Sequence, residues 1–375
     1  VVLEEGFDKS PPRPRSEFRY YSHRELERFA ADTFVSLNVP KEDAEITAKV
    51  LVTADLRGIS SHGIARLKRY VDGIVNGVVK VKPKVKIVKE GAVYAVLDAD
   101  YGLGQPVSYR AMRIAIEKAA ENGVGAVAVR NSNHYGIAGY YAMMALERDM
   151  IGVSLTNSRP LVAPTGSVER LIGTNPIAFA APTEKEPPFV LDMATSVVPI
   201  GKLEVYRRLG KKIPEGWAIN SQGDYETNPD NVISSGALLP LGGLGELFGG
   251  HKGYGLSLMV DILSGLLSGS NWGVDVGPTQ GPSPSKVGHF FAAINIESFI
   301  DIHEFKRNME KYKTLLKSSK LHPDFERVWI HGEKSWLTAK TRLKKGIPVH
   351  IKTVKMMNLI AEQLGIKPPA ELPSE

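Results

Sequence analysis

The sequence predicts an α/β fold, and three observations carry that expectation. Apolar strand-like runs alternate with helices through the middle of the chain: VGAVAVRNS, then GIAGYYAMMALERDM, then IGVSLTNS, the order from which α/β sheets are built. Hydrophobic residues make up 43% and charged residues 23% of the 375 positions, close to soluble-domain averages, so disordered and fibrous classes are disfavoured. The longest apolar run, LSLMVDILSGLL at 256–267, is too short for a bilayer and carries Asp261 in its middle, so no membrane partner is expected.

Residues 1–16 are rich in charges and prolines and read as a loosely held arm rather than a secretory signal. Ser22 followed by Glu25 forms a capping-box pattern, and Leu26, Phe29, Ala30 and Phe34 then recur at helical spacing. A second helix follows Pro40, with acids in its first turn. A third is expected from Ser61 to Gly77, with Leu67, Val71 and Ile74 as its apolar stripe and His62, Arg66 and Tyr70 as another. The period then changes. VKIVKE and AVYAVLDA read as strands, PVSYRAMRIAIEKAAENG as a helix closed by glycine, and IAFAAP and FVLDMA as further strands. A helix is expected at 195–210, then a loop-rich stretch to 250, the helix GYGLSLMVDILSGLL and the strand HFFAAINI. Helices near 301–319 and 350–364 close the chain, and no internal repeat is evident.

The formal charge is +6, and 301–375 alone holds fifteen Lys/Arg against nine Asp/Glu. These lysines are scattered over apparent helices without interleaved aromatics, which reads as a solvated basic face and not a nucleic-acid site. With no cysteine, disulfides, thiolate nucleophiles and cysteine-held metals are excluded, and a cytoplasmic setting is the default. The nine histidines show no zincin spacing, so no metal is expected. The nearest match to a dinucleotide fingerprint, Gly123, Gly125 and Ala128, ends a helix and leads into a strand. A Rossmann turn needs the reverse order, so this match fails on context. There is no Walker sequence and no nucleophile elbow. What remains is a set of polar residues at strand ends: Asn133 and His134, then TNSRP at 156–160, GTNPIAFAAP at 173–182, Asp192 in VLDMAT, and Lys252 at the mouth of a helix. Strand carboxyl ends are where α/β folds bind ligands; any one of these residues alone is better explained as a turn or cap, and it is their clustering that favours a site.

The stretches RGISSHGIARLKRYVDGI, RNSNHYGIAGYYA, TNSRPLVAPTGS, RLIGTNPIAFAAP, FVLDMATSVVPIGKL and GGHKGYGLSLMVDIL together resemble the second type of malate/L-lactate dehydrogenase, a family that includes ureidoglycolate, sulfolactate and diketogulonate oxidoreductases. The resemblance runs over roughly residues 20–365. It implies a mixed-sheet, non-Rossmann nicotinamide-binding domain at 79–299, a helical lobe built from both chain termini (17–78 plus 300–375), a homodimer, and NAD or NADP as cofactor. The implied reaction interconverts an L-2-hydroxy acid and its 2-oxo acid, malate and oxaloacetate first. Lactate- or sulfolactate-type substrates, or reduction of cyclic imine carboxylates, are the alternatives.

That reaction needs a base for the hydroxyl proton and a cation for the carboxylate. His62 titrates in the useful range, and Arg66 offers a planar fork four residues on, one helical turn away. His134 competes for the base role. Carried over by resemblance, Ser158, Asn175, Asp192, Met193, Ala194 and Lys252 hold the cofactor, with His331, Gly332 and Glu333 as a late segment touching it, and Thr174 lines the substrate pocket. The run RRLGKK at 207–212 either meets a 2′-phosphate or is a solvated helix end.

Overall fold

The structure, a computed structural model, describes residues 15–373. Most of the expected arm therefore lies outside the described residues.

The chain opens with strand β1 (Phe18–Tyr21) and helices α1 (His23–Ser36), α2 (Lys41–Leu56) and α3 (Leu67–Val75). The capping signal at α1 is realised: Ser22 Oγ accepts the Glu25 N–H at 3.2 Å. The middle of the chain carries β2 (Lys86–Glu90), β3 (Tyr94–Asp98), α4 (Gly104–Asn122), β4 (Val124–Ser132), α5 (Ala138–Met144), β5 (Met150–Thr156), β6 (Ile177–Ala181) and β7 (Phe189–Met193). Beyond them come α6 (Ile200–Arg208), β8 (Ala218–Ile219), α7 (Pro229–Ser234), β9 (Ala237–Leu238), α8 (Gly250–Asp261) and β10 (Val287–Asn295). Helices α9 (Ile302–Lys317) and α10 (Glu333–Lys345), strand β11 (Ile347–His350) and helix α11 (Ile351–Leu364) complete it.

A seven-stranded mixed sheet, in the order β2-β3-β4-β10-β5-β6-β7, forms the centre. Only β3 and β4 pair in parallel. β10, the last of these seven strands along the chain, inserts between β4 and β5 and pairs antiparallel with both, so β4 and β5 run in the same direction with their carboxyl ends side by side. Helix α4 lies on this sheet so closely that a Cβ on Gly125 would stand 2.1 Å from the Ala115 carbonyl. Gly123 ends the helix with φ 85°, which confirms that the glycines here serve a helix exit and tight packing.

Two apolar clusters organise the interior. One joins α4, β4, α5 and β10 through Met112, Ala115, Val127, Tyr141 and Phe291. The other joins both chain ends through Phe29, Phe34, Leu67, Tyr70, Ile347 and Met357, with β1 and β11 paired antiparallel so that Tyr21 faces Ile347. Helix α2 serves both, sending Val50 and Ala54 to the first and Ala48 and Leu51 to the second.

The third expected helix is shorter than its apolar stripe implied. Residues Ser60–His62 and Ile64–Arg66 form two successive 3₁₀ turns, and the α-helix begins only at Leu67. The break has a physical cause in Asp55 of α2. Its carboxylate accepts the Ile64 N–H at 2.6 Å, and Gly63 adopts an extended conformation packed so tightly on that carboxylate that a Cβ would sit 2.1 Å from Oδ1. His62 and Arg66 are neighbours, but not through the regular helical turn that their spacing implied.

Candidate active site

Three segments meet at one place: the two 3₁₀ turns before α3, the loop between β4 and α5, and the loop after β5. Their meeting sets two imidazoles face to face, His62 and His134, with ring centroids 5.5 Å apart and planes 20° from parallel. The Nδ1 atom of each is engaged by the protein. Ser61 Oγ lies 2.9 Å from that of His62. Tyr70 Oη lies 2.6 Å from that of His134, which also receives the Gly136 N–H at 3.3 Å. An N–H can only donate, so Nδ1 of His134 is the acceptor and the neutral ring carries its proton on Nε2.

Both rings retain partial exposure. Desolvation, reinforced by the Arg66 and Arg69 charges, pushes His62 down to about 3. It also pushes His134 well below the ordinary imidazole range, with Arg69 the next contributor. Both are therefore neutral near pH 7, and His62, with only its Nδ1 engaged, is the ring left able to accept a proton. Tyr70, sealed in the core, is pushed up to about 12 by burial and stays a hydrogen-bond donor.

Arg66 is positioned by its own loop: Nε donates to the Ser61 carbonyl at 2.6 Å. Its Nη2 meets Glu204 of α6 at 3.3 Å, so a carboxylate already rests against the guanidinium.

His289 shows what a structural histidine looks like here. It is fully buried, with Nδ1 2.7 Å from Thr156 Oγ1 and Nε2 2.8 Å from Ser132 Oγ, and it bridges β4 and β5 across β10.

The strand-end residues form a second, connected set. Ser158 Oγ accepts the Thr174 N–H at 3.0 Å and lies 3.3 Å from its hydroxyl. Asn175, fully buried with φ 30°, accepts the Ser158 N–H and donates to the Ser257 carbonyl. Thr195 donates to the Thr174 carbonyl through its N–H, and the Thr195 carbonyl receives the Leu241 N–H. Gly253 of α8 then packs its Cα on Leu241. This chain of contacts joins Thr195, next along the chain from residues 192–194, to the first turn of α8, where Lys252 lines a cleft of about 480 Å³ with Leu241, Glu246 and Phe248. Asp192 accepts the Gly139 N–H at the start of α5 at 2.8 Å, and burial pushes its carboxyl up to about 6.

His331, Gly332 and Glu333 lie against β7 instead. The His331 carbonyl accepts the Val190 N–H at 3.1 Å, and Gly332 closes on Val190. Glu333 is committed to Lys317 at 2.8 Å, Arg327 at 2.5 Å and the Ile330 amide. Burial opposes its charge, but these partners hold its carboxyl below the usual range.

Comparison with known proteins identifies the family. The family model described as malate/L-lactate dehydrogenase matches residues 21–358. The chain belongs to the malate/L-lactate dehydrogenase family. A malate dehydrogenase of Pyrococcus abyssi is 62% identical over 92% of this chain and 94% of that protein. A malate/(S)-sulfolactate dehydrogenase of Methanothermus fervidus is 41% identical over 88% and 94%. The solved structure of malate dehydrogenase from Pyrococcus horikoshii OT3 superposes with a TM-score of 0.89 at 54% identity, covering 96% of this chain and 99% of that one. As a member of the malate/L-lactate dehydrogenase family, the protein is an oxidoreductase of small hydroxy and oxo acids, and the family implies a nicotinamide cofactor.

The residues present fit such a cofactor. Lys252 makes no ion pair among the described residues and stands in the first turn of a twelve-residue helix, a favourable place for phosphate. The glycine-rich turn before it is packed so closely that a Cβ on Gly250 would stand 2.1 Å from the Gly243 carbonyl. Among the described residues, no cluster of His, Asp or Glu could hold a metal ion, and no helix is long and apolar enough to cross a membrane.

Sequence reasoning missed several residues. Tyr70 was visible in the His62 and Arg66 stripe, but its contact with His134 spans 64 positions. Asp55 and Glu204 lie outside the recognisable stretches, while Arg69 and Arg57, whose charge opposes the burial of Asp192, lie within RGISSHGIARLKRYVDGI but were passed over for His62 and Arg66.

Proposed function

We propose that this dehydrogenase interconverts L-malate and oxaloacetate, with His62, His134 and Arg66 at the reacting carbon. The observation that carries the reading is the stacked imidazole pair with a carboxylate-binding guanidinium beside it. In oxidation, His62 takes the hydroxyl proton at Nε2, because its Ser61 partner can accept from Nδ1–H and leave Nε2 bare. His134, held in the Nε2–H form by Gly136 and Tyr70, donates a hydrogen bond to the same substrate oxygen. Arg66 holds the adjacent carboxylate in place of Glu204.

Ser158, Thr174, Asp192, Met193, Ala194 and Lys252 would hold NAD or NADP, which when bound accepts or supplies the hydride. Asn175 positions Ser158 and Thr174, since its amide is engaged on both sides. His331, Gly332 and Glu333 back β7, the strand that carries Asp192 and Met193. We assign 17–78 with 300–375 to one domain and 79–299 to the other. The cytoplasm is the proposed setting, and a homodimer is supported by the exposed apolar side chains Leu256, Met259, Ile262, Leu266, Leu267 and Trp272.

The test is direct. Protein incubated with NADH or NADPH and a series of 2-oxo acids is followed by loss of reduced-nicotinamide absorbance. Turnover with oxaloacetate supports the reading, and no turnover with any 2-oxo acid under either cofactor sinks it. Light scattering on a size-exclusion column reads the dimer.

A further inference from the structure

Arg69 is an unusual arginine. Its Nε is shut off from solvent with no hydrogen-bond partner, and the side chain makes no ion pair among the described residues. It sits three residues after Arg66 at the start of α3, so the two guanidiniums share a helical face. Its neighbour Tyr70 touches His134.

Leaving a buried guanidinium Nε without an acceptor is costly, while the partial exposure of the side chain leaves its outer edge open to a ligand. The surrounding charges point the same way. The charged side chains acting on Arg69 are Arg66, Arg159 and Glu204. Two further guanidiniums and one carboxylate thus lie close enough to act on Arg69, and positive charge is in excess there. Desolvation and the neighbouring arginines pull Arg69 down to about 10, still fully charged near pH 7, and the nearby imidazoles are neutral.

We infer that Arg69 is the specificity residue for the far end of the substrate, pairing with a second anionic group while Arg66 holds the carboxylate next to the reacting carbon. The pocket is matched to a dianionic 2-oxo acid, and the excess charge is neutralised when that substrate binds. A monocarboxylate with a methyl group at the far end leaves Arg69 unpaired, so the site discriminates against it. This inference rests on the reading of the site proposed above.

The experiment compares oxaloacetate with pyruvate in the wild type, Arg69→Met and Arg69→Gln, each checked for folding by thermal melting. Whichever of the two variants melts like the wild type is read. The expected result is a fall in the oxaloacetate-to-pyruvate ratio of kcat/KM of about 30-fold, on the scale of one lost charged hydrogen bond, with the larger part of the loss in oxaloacetate KM. Arg69→Lys should recover part of the ratio. Wild-type turnover with an unchanged ratio in the folded variant overturns the role of Arg69 alone. Absence of wild-type turnover with either acid overturns the site reading instead.

Discussion

The His62 and His134 rings stack at 5.5 Å, and one proton therefore discourages another. Each imidazolium would face its neighbour across the stack and the Arg66 and Arg69 charges as well, so the pair carries at most one proton in the working range. A substrate anion bound between them and the arginines relieves that repulsion. In the proposed reaction, binding would thus raise the proton affinity of His62, which takes the proton.

The first expectation concerns the two rings separately. His62→Asn should lower kcat by about 10²–10⁴-fold, the range for losing a general base. His134→Asn should cost about tenfold to 10³-fold, the scale of one hydrogen-bond donor to the reacting oxygen. Because His62 is pushed down to about 3, it stays unprotonated in the free enzyme well below pH 6.5. The kcat/KM for hydroxy-acid oxidation should then lack the acid limb of an ordinary histidine near that pH. Steady-state profiles from pH 4.5 to 8 measure this, and a limb centred at 6.5 that disappears in His62→Asn would reject the low value.

Arg66→Lys tests the clamp. Lysine keeps the charge, but it cannot hold the Ser61 carbonyl through a guanidinium Nε while presenting a second edge to a carboxylate. The expected loss in kcat/KM is about 10- to 100-fold, corresponding to about 1.5–3 kcal/mol for a charge-assisted bond. Equal kinetics would remove Arg66 from the site.

Local signals in the chain were readable because they act within a few residues: the Ser22 cap, the strand pattern of VGAVAVRNS and the glycine exit at Gly123 all depend on near neighbours. The two imidazoles and Arg66 were found the same way, as chemistry-bearing residues in glycine-flanked turns. The spacing of His62 and Arg66 misled on conformation, because the determinant is the Asp55 carboxylate nine positions before Ile64, and no periodic pattern encodes that contact. Likewise β1 and β11 are four residues each and pair across the whole chain. The insertion of β10 between β4 and β5 is invisible to any local reading, since alternating strands and helices equally describe a purely parallel sheet. Helix α10 was hidden by its many lysines, whose polar character masks a short apolar face.

Asp55 makes a prediction of its own. Burial pushes its carboxyl up to about 7, so the folded protein holds a proton that the unfolded chain releases near 4. The sign follows: this group favours the fold at low pH, and its contribution is lost as pH rises from about 4 through 7. Asp55→Asn has no such loss, so its melting temperature relative to wild type should climb between pH 5 and 8. Asp55→Ala removes the acceptor for the Ile64 N–H and should reduce kcat by loosening the turns that carry His62 and Arg66. A wild-type-minus-Asn difference that does not vary with pH would show that Asp55 is ionised throughout.

His289 provides the opposite slope. Buried without exposure and held by Thr156 and Ser132, it is pushed down to about 3 by desolvation, whereas an unfolded imidazole titrates near 6.5. The unfolded chain therefore binds the extra proton between those values, and the stability from keeping this ring neutral is present above about 6.5 and lost progressively toward 3. At 1.36 kcal/mol per unit, the full loss is about 5 kcal/mol. His289→Asn should be less stable than wild type near pH 7, because it opens a cavity beside Tyr135, whose ring stacks on this histidine at 4.6 Å. It should also escape the acid penalty, so the gap in unfolding free energy should narrow steadily as pH falls from 6.5 to 4. Denaturant melts at half-unit pH steps read the gap. A constant gap would mean that His289 is protonated in the fold with no more difficulty than in the unfolded chain.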